Sequence, residues 1–537
     1  MIIAAGLAVA SIPAAALARA APHHARPDPR DARIEALEET VRALTDKVDR
    51  LEDAAAHPPA PMIVASPAPP APAPQPASAP AEAPSPIILQ AANAPAGGAT
   101  NIAGRPTIQS ADGRFQANLH AIMQFDAAYF GQRGPGPLAV DLRRGAAATD
   151  TAHARDLNSG TDFRRARAGI DGKLFGDFEF NALFDFAGSG AEDAGHVQEL
   201  WIQYSGIKPW HLKIGAFAPS NGLEDAGSTN GMLFLERPAI ADMSRSLAGG
   251  DFHEAFQLSA NGNRWFASTA ISTRLVGTIN TTGSSTAQTF DQQVGLIGRL
   301  AFVPLQGDGW MVHVGAHGTY VIRPPDVGGP DVVAGRFPIQ FRERPELRVD
   351  GTRLIDTGAI DADHATDLGL EFAAQAGSFA IQSEYERFGI SRRLSALSDP
   401  HFHGWYVEGS WLLTGEQRRY NRNTFAFDGP AVDHPLDPKN GSFGALELAL
   451  RYSDADLNYH EGVAGVATPT DGVRGGEQQI FAAGLNWYLN NTVRLMLDFQ
   501  HVKVDRLSPN AVTFQTPVGA QVGQSYNAVS MRTQYAF

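Results

Sequence analysis

The chain has 537 residues, a formal charge of −14 and no cysteine. Without cysteine it relies on neither disulfides nor thiolate–metal bonds and offers no thiolate nucleophile. The acidic excess argues against nucleic acid as a partner, although local charge inside a channel can oppose the net value and leaves small anions open.

Residues 1–20, MIIAAGLAVASIPAAALARA, form a short apolar run ending in small residues. Ala16, Ala18 and Ala20 give two overlapping A-x-A cleavage sites, which predicts a secretory signal peptide even though no basic residue precedes the run. Over 31–53, Ile34, Leu37, Val41, Leu44, Val48 and Leu51 recur at steps of three and four, a heptad seam that predicts a coiled coil. β-branched residues at the first seam position with leucine at the second lean towards two strands. Residues 54–104 are rich in alanine and proline, with too little apolar surface to fold, and predict an extended tether. No later stretch reaches the roughly 18–20 apolar residues a membrane helix needs. An exported chain of this kind belongs to the periplasm, the exterior or an outer-membrane barrel.

From 105 to 537 the pattern changes to short alternating runs separated by Gly, Asp, Asn and Pro. DFEFNALFDF puts Phe178, Phe180, Ala182, Phe184 and Phe186 opposite Glu179, Asn181, Leu183 and Asp185. LELALRY sets Leu446, Leu448, Leu450 and Tyr452 against Glu447, Ala449 and Arg451, and HLKIGAF sets Leu212, Ile214 and Ala216 against His211, Lys213 and Phe217. In the last stretch Val529, Met531, Thr533, Tyr535 and Phe537 share one face, and Ser530, Arg532, Gln534 and Ala536 the other. A soluble sandwich alternates too. Aromatic residues near run ends (Trp405, Tyr406, Trp411, Trp487, Tyr488, Tyr535) and unequal loops point instead to a lipid-embedded barrel with interfacial girdles. The expected fold is therefore all-β: a transmembrane antiparallel barrel of about 16 strands, preceded by the coiled-coil helix and the linker. An open edge is not tolerated in lipid, so the last strand should pair with the first.

The stretches FRRARAGIDGKLFGDFEF (163–180), LWIQYSGIKPWHLKIGAF (200–217), NGLEDAGSTNGMLFLERP (221–238), FRERPELRVDGTRLIDTGAIDAD (341–363), GWYVEGSWLLTGEQRRYNR (404–422) and GLNWYLNNTVRLMLDFQHVKVD (484–505) together resemble the phosphate-selective porins O and P of Gram-negative outer membranes. The resemblance spans nearly all of 105–537 and none of 1–104. It implies a homotrimer of 16-stranded barrels, each narrowed by an inward-folded loop, passing anions such as phosphate or polyphosphate-type ions. It also implies that Tyr535 and the terminal Phe537 form the signal read by the outer-membrane assembly machinery. Where the family commonly carries a lysine in a G-Q-F-K-x-P-like stretch, this chain reads GAFAPSNGLE, with Ala218 at that position. A weakly selective general porin is the alternative.

Strand parity selects the cations of such a pore. With Ala166, Ala168, Ile170 and Leu174 towards lipid, Arg165, Arg167, Asp171 and Lys173 face the lumen, and the same reading turns Lys213, Arg299, Arg451, Arg494 and Arg532 inward. Fixed cations along a pore make dehydration of anions favourable, and arginine's planar fork suits phosphate. Arg342, Arg344, Arg348 and Arg353 lie within a dozen residues and could feed a pore mouth. Against a working track stand Asp171, Glu179, Asp185, Glu199, Glu447 and Asp498 on the same face, which could pair with the arginines and merely brace the wall.

Catalytic readings fail on spacing. His401 and His403 share one strand face without a third ligand in view, the DAD stretches at 361–363 and 454–456 lack the spacing of a calcium loop, and His23 and His24 sit by the processing site. No nucleophile elbow or phosphate-cradling loop is present, so no enzyme activity, cofactor or metal is expected. A rival class is an outer-membrane scaffold whose coil and tether, in the periplasm, bind the cell wall. A soluble secreted β-rich hydrolase is the third, and a need for detergent with anomalous migration on unheated gels would exclude it.

Overall fold

In a computed structural model the structure describes residues 98–102, 105–132, 157–187, 195–248, 253–275, 293–324, 338–509 and 518–537. The chain divides into two units, Met1–Leu89 and Gln90–Phe537, and every described residue belongs to the second. The expected signal peptide and coiled coil, and most of the tether, lie outside the described residues.

Sixteen antiparallel strands close into a barrel, from Gln116–Gly131 to Ser525–Ala536. The last pairs with the first along its length, Asn527 opposite Gly131 through Ala536 opposite Ile122. The carbonyls and amides of Phe537 and Ala121 then exchange two more hydrogen bonds, so no edge is left where lipid would meet bare backbone. Gly98–Ile102, inside the stretch expected to be tether, instead pairs with Arg105–Gln109. Thr107–Gln109 of that hairpin then pair with Gln116–Asn118, taking up the edge of the first strand beyond the point where the last one ends.

The period-two reading of the strands holds. In the last strand Val529, Met531 and Tyr535 are exposed on the outer wall, whereas Ser530, Arg532 and Gln534 are buried on the inner one. The girdle expectation needs two corrections. Tyr406 and Tyr488 are buried on the lumen side, where they hydrogen-bond Glu384 and Glu447. Each follows a tryptophan that faces outward, and consecutive residues of a strand cannot share a face.

At one end of the barrel most connections are two to five residues long, as at 175–177, 308–309 and 377–378. Short turns mark the periplasmic end of outer-membrane barrels. The exception there is 413–444, which carries a hairpin of Arg418–Asn421 and Ala426–Pro430. From the opposite end two segments are inserted: 217–248, containing the short helix α1 (Leu223–Ala226) and helix α2 (Ala239–Ala248), and 338–361. Both fold inward because they carry apolar residues that lumen-side residues match. Ile240, Met243 and Leu247 of α2 join Phe341, Leu347, Leu354 and Ile355 in a cluster with Phe388, Phe402, Ile480 and Val502 of the wall. The hairpin builds a second cluster, Phe425, Ala426 and Phe427 against Leu223, Phe266, Val303 and Met311.

Candidate functional site

The inner wall changes character along the strand Val493–Asp505. Its lumen-side series reads Arg494, Met496, Asp498, Gln500, Val502, Val504, polar near the short turns and apolar near the long loops. The charged part of this series meets the inserted segment 217–248 and holds it by its backbone. Arg494 donates to the carbonyls of Asn230 (3.2 Å) and Met232 (2.7 Å), Asn486 to that of Leu233 (3.0 Å), Arg532 to that of Leu235 (2.6 Å) and Arg451 to that of Glu236 (3.0 Å). Asp498 in turn accepts the Leu235 amide at 2.9 Å. A run of backbone that forms no ladder of its own is thus satisfied by the wall.

Four of the eight expected lumen cations prove to be paired. Arg167 lies 2.8 Å from Asp185, Arg299 forks onto Glu371 at 2.9 and 2.8 Å, and Arg451 reaches Glu346 at 2.5 Å and Glu408 at 3.5 Å. Arg532 forks onto Asp126 across the closing seam at 2.6 and 2.7 Å and also meets Glu236 at 3.0 Å. Glu236 is the hub of the inserted segment, since Arg164 and Arg348 bind it as well. Of the four expected mouth arginines, Arg348 is tied to Glu236 and Asp242, Arg344 is buried, Arg342 is exposed and Arg353 is half-buried. Lys173 is exposed at the short-turn rim.

Besides Lys173, Arg342 and Arg353, three of the expected cations form no ion pair with a carboxylate among the described residues: Lys213, Arg165 and Arg494. Lys213 sits over the rings of Trp201 (4.2 Å) and Phe217 (5.1 Å). Arg165 and Arg494 stand at the two ends of one rank across four neighbouring strands, which reads Arg165, Gln124, Gln534, Arg494. Arg165 donates to Gln124 (2.6 Å), Gln124 to Gln534 (2.7 Å), and Gln534 to the Asn230 carbonyl (3.1 Å). The Nε atoms of both arginines are buried without an acceptor. The Arg494 end of this rank opens on a cavity of about 750 Å³, lined by Arg105, Asn230, Arg419, Asn491, Arg494 and Gln534 among others.

Parity alone found the arginines but not the glutamines between them, nor a second cluster on the opposite wall. There His313 and His317, Asp367 and Glu371, and Glu384 and Glu386 are all buried. The runs DLGLEF and SEYERF alternate as the other strands do, so the same parity argument could have found them. At the long-loop rim, outside the membrane-spanning strands, a hydrogen bond from Ser398 and then His460 hold the Asp471 carboxyl below its ordinary value. The two imidazoles of His401 and His403 are exposed on the outer face.

A closed 16-stranded barrel with an apolar outer wall, a polar inner wall and inward-folded loops defines an outer-membrane porin. A sequence model of the phosphate-selective porin O and P family matches residues 141–537. The chain belongs to that family. It is 26% identical to Porin O of Pseudomonas aeruginosa over 366 residues, covering 65% of this chain and 78% of that one. It is also 26% identical over 351 residues to an uncharacterised protein of Caulobacter vibrioides, covering 64% and 63%. Among solved structures, the anion-selective porin from Comamonas acidovorans aligns with a TM-score of 0.42 at 12% identity, over 78% of this chain and 99% of that one.

Proposed function

We propose that this porin passes small anions, phosphate or polyphosphate-type ions among them, and that Arg165, Arg494 and Lys213 carry the preference. The observation that supports this reading is that Arg165 and Arg494, at the ends of one rank, have amide and carbonyl oxygens and no carboxylate as their hydrogen-bond partners. A paired arginine is nearly neutral to a passing ion, whereas uncompensated cations in a low-dielectric channel raise the local anion concentration. The glutamines between them supply amide donors without opposing charge. Arg167, Arg299, Arg451 and Arg532 then brace the wall, and Arg348 of the mouth set ties the two inserted segments together. A homotrimer, assembly through Tyr535 and Phe537, and a periplasmic coil that meets the cell wall complete the proposal.

Single-channel recording in a planar bilayer under a KCl gradient tests it. The reversal potential is expected to favour chloride, and phosphate is expected to reduce the current. Replacing both Arg165 and Arg494 by glutamine should move the reversal potential towards zero and weaken the phosphate block. Cation preference in the wild type would reject the anion pathway, and chloride preference without phosphate block would leave a general anion porin. Protein that inserts yet gives no channels would favour the scaffold.

A further inference from the structure

We infer that the inner wall carries a binding site for one divalent first-row transition-metal ion, of the zinc class, formed by His317, Asp367 and Glu386. The site is organised around a missing side chain. Across three adjacent strands one rank reads His317, Gly369, Glu386. A Cβ on Gly369 would lie 2.1 Å from His317 Nε2 and 2.4 Å from a Glu386 oxygen, so the imidazole and the carboxylate can meet over this position only because residue 369 is glycine. One donor atom each from His317, Asp367 and Glu386 falls within 4.8 Å of the others. Gly222 of the inserted segment, at φ 72°, packs against the same imidazole, its Cβ position 3.6 Å from His317 Nε2.

Three further observations point to a missing cation. First, the buried oxygens lack donors: the carboxyls of Asp367 and Glu386 meet each other, a contact that needs a shared proton or cation, and the hydroxyl of Thr319, directly opposite Asp367 in the ladder, has no partner. Second, the charges do not balance. Arg299 matches Glu371, but Asp367, Glu384 and Glu386 are each at most 2% exposed and no arginine or lysine among the described residues pairs with them, a costly state for buried carboxylates. Third, the histidine is oriented as a ligand. Its Nδ1 lies 3.0 Å from Glu371, a carboxylate already fixed by Arg299, which leaves Nε2 directed at Glu386, 2.8 Å away. A carboxylate–histidine pair of this kind is the usual outer support of a metal-bound imidazole. One nitrogen with carboxylate and hydroxyl oxygens suits zinc or a similar ion rather than magnesium or calcium, which prefer all-oxygen sets. The competing occupant is a proton, on His317 between its two carboxylates or shared by Asp367 and Glu386.

Full-length protein in detergent, stripped with chelator and titrated with Zn²⁺ by calorimetry, decides between them. The wild type is expected to bind one Zn²⁺ per chain that His317→Gln and Asp367→Asn each weaken about tenfold or more, with both variants retaining the folded band on unheated gels. X-ray absorption of the zinc-loaded wild type should report a single imidazole among oxygen ligands, which keeps the test decisive if a variant fails to fold. No zinc uptake would leave the proton as occupant and overturn the site. So would unchanged affinity in both variants, or a spectrum with two or more imidazoles, which would place the ion on other histidines.

Discussion

Arg532 concentrates the barrel's electrostatics in one side chain, since its fork closes the seam on Asp126 while its free edge holds Glu236 of the inserted segment. Removing it would leave Asp126 buried without its counter-ion and take from Glu236 one of its three arginines. Arg532→Met is therefore expected to cost about 3–5 kcal/mol, read as a lower temperature for loss of the folded band. On the outer face of the same sheet the sign of the problem reverses. Leu450 faces lipid next to the inward-facing Arg451, so Leu450→Arg places an unpaired charge against hydrocarbon at about 2–4 kcal/mol if it lies near the midplane. Equilibrium unfolding from vesicles should show that loss, and wild-type stability would refute the lipid-facing assignment. At this scale the sequence was readable through parity. What it could not reveal was pairing, because a lumen arginine is free or spent according to which residues the closed barrel brings opposite it. Arg165 finds a glutamine, whereas Arg532, facing the same lumen, finds an aspartate.

Among the elements, strands were legible and insertions were not. A strand writes its environment into every second residue, so runs such as 446–452 announced both of their faces. The segments 338–361 and 413–444 have no period because each side chain answers to a different partner on the wall. Even so, Phe425, Ala426 and Phe427 in a connection at the short-turn end are more apolar than a solvated turn requires. Arg299 donates to the carbonyls of Thr424 (2.6 Å) and Phe425 (2.9 Å), and Arg418 pairs with Glu447 at 3.0 Å, so the hairpin is fixed inside the lumen at both its tip and its base. Replacing 417–431 by a short Gly-Ser connection should raise single-channel conductance several-fold while the folded band survives. Unchanged conductance would mean that ions do not pass beside the hairpin.

For the whole molecule, the closed barrel followed from the requirement that no backbone edge meet lipid, and the strand count followed from chain length. The distribution of stability inside it did not. Much of the lumen near the long loops is packed as a water-soluble protein is, with Phe388, Phe402 and Ile480 against the inserted segments. Urea should therefore loosen the lumen before it opens the sheet. Hydrogen exchange is expected to show early loss of protection in α2 and 338–361, with the strand ladder exchanging later, and simultaneous exchange of both would contradict this separation. The hairpin Gly98–Gln109 has a mechanical consequence. It is joined to the first strand by the short Thr107–Gln109 ladder and to the second, Gly160–Leu174, by the ion pair of Arg105 with Asp171. A pull on the chain ahead of Gly98 would strip these few bonds first, like a tear strip, and be spent before it reached the seam that keeps the barrel shut.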